Sequence, residues 1–582
     1  MPDICSTGTL HFSTISISNT PQAYHIHIRR VPDGPLIQEN TNMFCQQCEE
    51  TARGLGCTAG GVCGKSHETA CYQDAVNFVL SGLAYRKLHQ PAGAKVPANT
   101  AAQDKAVVEI LFATLTNVNF DKDRFKTYLK TLIAYRDAYP KIPGEPKECA
   151  WIPASEEEIL RLEGGIGLLA IEDDNTRSLF SLLLFGLKGM CAYYSHAEVL
   201  GKTDPEIIAF IYKGLASRFE QHTTAERTAL VLECGTVGAK VLALLDEANK
   251  HYGTTELTSV NCGVGKKPGI LVTGHDLKDL EMLLDQTKGT GIDIYTHGEM
   301  LIAHAHPAFK KYSHLVANYG TSWANQKDEF PNFNGPILFT TNCLVPPPEQ
   351  YRGKIFTTGS VGFPGAVHIP EKADGKKDFS PLITLAKKCE PPKPAQETKP
   401  LLTGAGHDAV LALAPKVLEL IKKQKIRKFV VMAGCDGRHK ERTYYTEFAK
   451  ALPNDVIILT AGCAKYRYNR LDLGDIDGIP RVLDAGQCND SYSLVIIATE
   501  LAKALNTPVD KLPLAFNIAW YEQKAILVFL TLLALGIKNI MIGPNLPACL
   551  SPDILNTLVE TFGVQKNTTV AEDMKKLGLI RP

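Results

Sequence analysis

Short apolar runs in this chain end, again and again, in glycine or asparagine followed by a metal-binding residue type. Phe429-Val-Val-Met-Ala-Gly-Cys435 and Val456-Ile-Ile-Leu-Thr-Ala-Gly-Cys463 are near copies of each other. Ile337-Leu-Phe-Thr-Thr-Asn-Cys343 ends the same way, and Ile270-Leu-Val-Thr-Gly-His275 ends in an imidazole. Ile292-Asp-Ile-Tyr-Thr-His-Gly-Glu299 runs past its strand to a carboxylate. Each run is followed by a polar or helical stretch. Strands that alternate with helices build parallel sheets, so the expected class is α/β.

The rest of the chain divides around this texture. From Met43 to about Tyr252 apolar residues recur near helical spacing, notably over 107–115, 127–134, 177–200 and 225–251. Pro140 to Pro153 breaks that region. The strand-like texture occupies 253–400, pauses at the proline- and charge-rich Lys387 to Pro400, and resumes over 401–582. Leu514 to Trp520, Ala525 to Gly536 and Asn539 to Ile542 read as strand, helix, strand. The expected architecture is a helical amino-terminal domain (43–252) followed by two Rossmann-like parallel-sheet domains (253–400 and 401–582). Residues 1–42 stand apart in composition. A disordered extension, a transit peptide, and a start site at Met43 are three readings of them.

Composition narrows the function. The formal net charge is zero and 21% of residues are charged, which gives no support for a nucleic-acid or membrane-surface role. The longest apolar stretch, Ala525 to Ile537, falls short of the roughly 20 residues that span a bilayer. No membrane segment is expected. Sixteen cysteines in 582 residues are too sparse for a disulfide scaffold, so reduced, metal-binding thiolates are expected instead.

Cys45-x2-Cys48-x8-Cys57-x5-Cys63 places four thiols within nineteen residues. Zinc ribbons pair two Cys-x2-Cys knuckles across a longer insert. The tighter wrapping here suits an iron–sulfur cubane better, with zinc as the competing reading. Cys71 reads as an ordinary buried cysteine. The dispersed residues are His275, Glu299, Cys343, Cys435, Cys463, Cys488 and Glu522. Ligands of open α/β sheets bind past the carboxyl ends of strands, so these seven can meet although far apart in sequence. Soft and hard donors together suit iron bridged by sulfide and oxygen more than zinc. Taken singly, each of these cysteines reads more readily as an inert buried residue, and only their recurrence at strand ends brings the ligand reading level with it.

These residues sit in motifs that resemble the hybrid-cluster protein (hydroxylamine reductase) family. The motifs are Met43-Phe-Cys-Gln-Gln-Cys-Glu-Glu-Thr51, Gly61-Val-Cys-Gly-Lys65, Gly274-His-Asp-Leu-Lys278, Thr296-His-Gly-Glu-Met300, Thr341-Asn-Cys343, Gly434-Cys-Asp-Gly-Arg438, Ala461-Gly-Cys463, Gly486-Gln-Cys-Asn-Asp490 and Trp520-Tyr-Glu-Gln-Lys524. They are ordered and run from Met43 almost to the carboxyl terminus. The resemblance implies a [4Fe–4S] cluster on Cys45, Cys48, Cys57 and Cys63. It also implies a hybrid [4Fe–2O–2S] cluster on the seven dispersed residues, with Cys435 able to carry a persulfide.

The implied activity is reduction of hydroxylamine, with nitric oxide as the alternative substrate or as a signal sensed or passed on by protein S-nitrosylation. Glu299, Glu522, His275 and Cys435 are the implied catalytic residues. Tyr521 and Lys524 adjoin one of them, with a packing or surface role equally open. A separate electron-donor protein is expected, because no Rossmann glycine fingerprint is evident. The expected state is a monomer. The expected place is the cytoplasm, or an organelle if residues 1–42 are a transit peptide. A nickel–iron enzyme of the carbon monoxide dehydrogenase kind and a zinc-stabilised α/β enzyme remain as other readings.

Overall fold

The computed structural model describes residues 43–161 and 166–580. The readings of residues 1–42 lie outside them. Seven α-helices come first: α1 His67–Leu88, α2 Ala101–Ala113, α3 Lys122–Asp137, α4 Glu156–Leu160, α5 Asp174–Glu198, α6 Pro205–Ala216 and α7 Thr224–Asn249. Side chains that compete for backbone hydrogens start several of them. Ser66 caps α1, Asp173 caps α5, and Thr223 with Glu226 closes a capping box on α7. The proline-rich break at 140–153 falls between α3 and α4.

One expectation is corrected here. Thr224–Tyr252 is long and apolar enough to cross a membrane by length and composition. The sequence reading missed it because its charges are spread along the segment. In the fold its apolar stripe, including Leu230, Cys234, Val241 and Leu245, is buried. α7 packs on α5 and on the helix Gln523–Ala534.

Among the described residues, sixteen strands follow. They are β1 Thr258–Val260, β2 Gly269–Thr273, β3 Asp293–His297, β4 Leu315–Asn318, β5 Ile337–Phe339, β6 Ile355–Thr357, β7 Val367–His368, β8 Leu401–Thr403, β9 Lys428–Val431, β10 Val456–Thr460, β11 Asp475–Ile476, β12 Ile479–Pro480, β13 Val482–Asp484, β14 Leu514–Ala519, β15 Ile540–Gly543 and β16 Gln565–Lys566. Two six-stranded sheets result, in the orders β4-β3-β2-β5-β6-β7 and β13-β10-β9-β14-β15-β16. Every pairing within them is parallel. Both have the doubly wound order in which the first strand lies centrally and the chain reverses direction beside it. β2, β3 and β10 are buried at every position, as strands covered on both faces should be, and β3 is so although it carries Asp293, Thr296 and His297.

The segment 387–400 is tied to the first sheet region. Lys393 N donates to Asn332 O at 3.0 Å, and Tyr319 Oη donates to Lys393 O at 3.1 Å. β8 then pairs antiparallel with β1, so backbone hydrogen bonds cross the expected boundary at 400.

The recurrent glycines have a local cause. Gly434 has φ +113°, and a Cβ there would stand 1.9 Å from Ala519 O. Gly462 has φ +85°, and its Cβ would meet Gly434 O at 2.4 Å. Each turns the chain off its strand end and aims the next residue across the sheet edge. Gly274, Gly298 and Gly486 also have positive φ. Gly434→Ala should therefore lower the thermal midpoint far more than Gly289→Ala. Gly289 shares the positive φ but has open space around it. The second change should cost about 1 kcal/mol of backbone strain, and the first about that plus a backbone clash. Equal losses in thermal unfolding would contradict this packing argument.

Candidate metal centres

All seven dispersed residues follow strand carboxyl ends. His275, Glu299 and Cys343 come after β2, β3 and β5, three adjacent strands of the first sheet. Cys435, Cys463, Cys488 and Glu522 come after β9, β10, β13 and β14, four adjacent strands of the second. In both sheets these strands flank the point where strand order reverses, the place such folds use for ligands.

The side chains meet. His275 Nε2 lies 3.1 Å from Glu299 Oε2. Possible ligand atoms of His275, Glu299 and Cys488 all fall within 4.8 Å of one another. Cys488 N donates to Glu299 Oε2 at 2.7 Å, and Glu299 also faces Cys463. Cys343 interacts with Glu522 and Cys435, and the Cys435 thiol lies against the Glu522 backbone. Other residues fix these groups. His275 Nδ1 pairs with Thr341 Oγ1 at 2.9 Å, and Asn342 Nδ2 donates to Cys343 Sγ at 3.4 Å.

Lys524 is the cation of this cluster. Its ammonium sits 3.1 Å from His275 Nε2, 3.0 Å from Asn342 Oδ1 and 3.7 Å from Glu522 Oε1. Burial works against its charge, but Cys488, Glu522 and Glu299 more than offset that and hold it protonated. Burial also pushes the Glu522 carboxyl up, against Lys524, to about 7. Glu299 goes the other way. Burial would raise it, yet His275 and Lys524 beside it hold it well below the usual carboxylate range. Burial lifts the Cys343, Cys463 and Cys488 thiols well above their ordinary value, and Cys435 to about 12. Three buried thiols and the half-buried Cys343, with two buried carboxylates and one imidazole, are a costly arrangement for side chains alone. A multivalent cationic centre, which ionises thiols by binding them, fits this donor set.

The first cysteine set is held by a two-way backbone bridge. Cys45 N donates to Cys57 O at 3.0 Å, and Cys57 N to Cys45 O at 2.8 Å. Ala52 N points at Cys57 Sγ from 3.5 Å, and Lys65 Nζ lies 4.0 Å from Cys45 Sγ. Burial, then Cys63 and Cys45, raises the Cys48 thiol. None of the described cysteines is disulfide-bonded. Behind Cys45 lies a small polar chamber lined by Lys65, Lys188, Arg218 and Asp74, among others. Lys65 and Lys188 bond to the neutral oxygens of Gln73 and Gln47, and Arg218 to backbone carbonyls. Burial pushes Lys188 down to about 7, so Lys65 and Arg218 are the cations that face Asp74, and they leave positive charge that suits an anionic metal–thiolate centre.

The two sets are joined. Arg442, fully buried, donates to Glu49 Oε2 at 3.0 Å, to Trp520 O at 2.6 Å and to Cys435 O at 3.1 Å. Glu49 N donates to Tyr521 O at 2.9 Å, and Gln523 Nε2 to Gln47 O at 2.5 Å.

Comparison with known proteins agrees with this architecture. Residues 43–575 match the model of the Prismane/CO dehydrogenase family. The chain belongs to that family. Membership implies iron–sulfur clusters at the buried cysteines. The chain is 52% identical over 549 residues to a hydroxylamine reductase of Methanosarcina mazei, covering 92% of this chain and all of that one. It is 51% identical over 545 residues to a hydroxylamine reductase of Thermoanaerobacter pseudethanolicus, covering 92% and 99%. Among solved structures, carbon monoxide dehydrogenase IV of Carboxydothermus hydrogenoformans shares the fold with a TM-score of 0.52 at 16% identity, covering 93% of this chain and 94% of that one.

Two residues left open by sequence are decided by position. Lys524 is 1% exposed and central. Its signal was a charge at the mouth of the most apolar helix. Tyr521 is buried in packing, its ring 4.5 Å from that of Trp323 and its hydroxyl bonded by Asn117. Asn342, Tyr193 and His196 also face the site, and sequence reasoning missed all three.

The Glu49–Arg442 pair yields a stability test. Arg442→Met strands a fully buried carboxylate and should cost about 3–5 kcal/mol. Glu49→Gln keeps an acceptor for the guanidinium and should cost less. Chemical unfolding of both variants checks the order.

Proposed function

We propose that this chain reduces hydroxylamine at a hybrid iron–sulfur–oxygen cluster. The overall change is NH2OH + 2 e− + 2 H+ → NH3 + H2O, in which the N–O bond breaks, the two electrons go to the separating nitrogen and oxygen, and one proton goes to each, giving ammonia and water. His275, Glu299, Cys343, Cys435, Cys463, Cys488 and Glu522 would hold the hybrid [4Fe–2O–2S] cluster. Cys45, Cys48, Cys57 and Cys63 would hold a [4Fe–4S] cluster. The observation that carries this reading is the convergence of soft and hard donors from two sheets around one buried lysine. Half-identity to relatives named hydroxylamine reductase supports it.

When bound, the iron would supply Lewis acidity and an electron store. The protein's part is position and protons. Lys524 keeps an ammonium beside His275 and Glu522 in a site sealed from bulk water. Glu522, Glu299 and His275 are the other titratable groups there, each within reach of general acid–base work. Asn342 holds Lys524 on one side and Cys343 on the other. Electrons are taken to come from a separate donor protein through the first cluster, whose loop residues Leu55 and Val62 are exposed. The working form is proposed to be a cytoplasmic monomer.

A second reading, nitric oxide as substrate, is favoured by one feature. An apolar cavity of about 140 Å³ lies beside the second sheet and is lined by Val431, Ala433, Leu459, Ile518 and Val528. Ala433 is two residues from Cys435. A neutral diatomic partitions into such a space more readily than hydroxylamine does.

The test is metal and sulfide analysis with EPR on anaerobically purified protein, followed by hydroxylamine turnover with a reduced dye. About eight irons per chain are expected, as for two four-iron centres, with fewer sulfides than irons. Zinc without iron sinks the proposal. Lys524→Met should retain iron yet lose roughly 100-fold or more in turnover, the scale of a lost general acid. Undiminished turnover would remove Lys524 from the chemistry.

A further inference from the structure

The two sheets supply every donor discussed so far, yet one face of the site belongs to the helical region. α5 passes over it and presents Tyr193 and His196, one helical turn apart. Tyr193 is 1% exposed and His196 is 7% exposed. The Tyr193 hydroxyl faces Cys488, and its ring lies 5.9 Å from the Lys524 ammonium. His196 stacks over His275, ring centroids 6.1 Å apart at 11°, with Phe112 edge-on behind it at 5.7 Å. Both residues carry a buried polar atom, Tyr193 Oη and His196 Nε2, that has no hydrogen-bond partner.

Such orphans are uncommon. A buried polar atom left unmade costs about 1–3 kcal/mol, and native structures keep few. The His196 Nε2 has no partner in the chain, and the Tyr193 hydroxyl has the Cys488 thiol beside it without a well-formed bond, so both atoms are open to a partner that enters the site. A structural role accounts for either ring but not for its polar atom. Phenylalanine would fill the space of Tyr193, and another apolar ring that of His196. A neutral imidazole has one ring nitrogen with a free lone pair, so a histidine at this place can accept as well as donate.

We propose that Tyr193 and His196 form the substrate-facing roof of the site, Tyr193 Oη donating a hydrogen bond to the oxygen of bound hydroxylamine and His196 Nε2 accepting one from its O–H or N–H. This inference rests on the hydroxylamine reading. The roof binds and orients the molecule between α5 and the sheet edges. The reducing electrons and the bond cleavage remain as balanced above. The helical region thus carries specificity, not only structure. It selects a ligand with a donor and an acceptor on adjacent atoms, which nitric oxide lacks.

The experiment titrates hydroxylamine into oxidised, iron-loaded enzyme and follows the EPR signal of the second centre. Wild type, Tyr193→Phe and His196→Gln are compared. Each variant should keep wild-type iron content and an unchanged substrate-free spectrum. The half-saturating hydroxylamine concentration should rise on the order of tenfold, the scale of one hydrogen bond. Half-saturation equal to wild type overturns the assignment of that residue. So does an altered substrate-free spectrum with unaltered half-saturation, which would make Tyr193 a partner of Cys488 instead. A variant that takes up no iron places its residue in cluster assembly and overturns its role here. If the iron-loaded wild type neither binds nor reduces hydroxylamine, the functional reading fails first. If it does both and the variants match it, only this inference fails.

Discussion

The structure depends on keeping many would-be anions together without water. Glu299, Glu522 and four thiols, three of them buried, crowd one volume, and Lys524 is the cation that faces Cys488, Glu522, Glu299 and Cys343. Charge of that density is prohibitive in a low-dielectric interior unless it is neutralised where it lies. Helix starts add to the compensation. Glu522 is itself the N-cap of Gln523–Ala534, and Asp276, next to His275, caps Leu277–Thr287. Helix amino ends carry partial positive charge, so they favour the ionised donors. What remains to be balanced is what a metal centre supplies. The first cysteine set shows the same logic with Lys65 and Arg218.

Neither sheet could build the second site alone. One doubly wound sheet offers a single reversal point, with two to four strand ends around it. Here two such sheets face their reversal points toward a common volume, and seven strand ends contribute. The first sheet brings the imidazole, one carboxylate and one thiol. The second brings three thiols and the other carboxylate. Mixed donor chemistry is thus an outcome of topology. A buried, pre-set cage of this kind resists collapse only if its walls are anchored elsewhere, which is what α5, α7 and the helix Gln523–Ala534 do by packing together.

Much of this was legible in the sequence because the signals were local. Gly-Cys and Gly-His at the ends of apolar runs report a strand, a left-handed turn and an aimed side chain, all within seven residues. Gly434-Cys435 and Gly462-Cys463 show how direct that reading is. The residues that were left open or missed act at long range. Lys524 looks like a surface charge until the helix behind it is seen to be buried. Tyr193 and His196 lie on a helix whose apolar pattern points to core, and only the folded chain turns them to His275 and Cys488. The charge along α7 hid its length for the same reason, since periodicity reports a face and not what that face meets.

The link between the two cysteine sets is made of side chains that also hold the fold. Cys48 precedes Glu49, Glu49 pairs with Arg442, and Arg442 bonds the carbonyl of Cys435. A single buried guanidinium therefore joins the loop of one set to a residue of the other. The same loop is bonded to Tyr521 O, one residue before Glu522. Glu49 divides its carboxylate between Arg442 at Oε2 and Asn545, whose Nδ2 donates to Oε1 at 2.7 Å. Because a buried ion pair is stiff and poorly screened, the Arg442 contact couples the two sites electrostatically as well as mechanically. Stability and communication between the sites rest on the same few atoms, so the chain cannot relax one without disturbing the other.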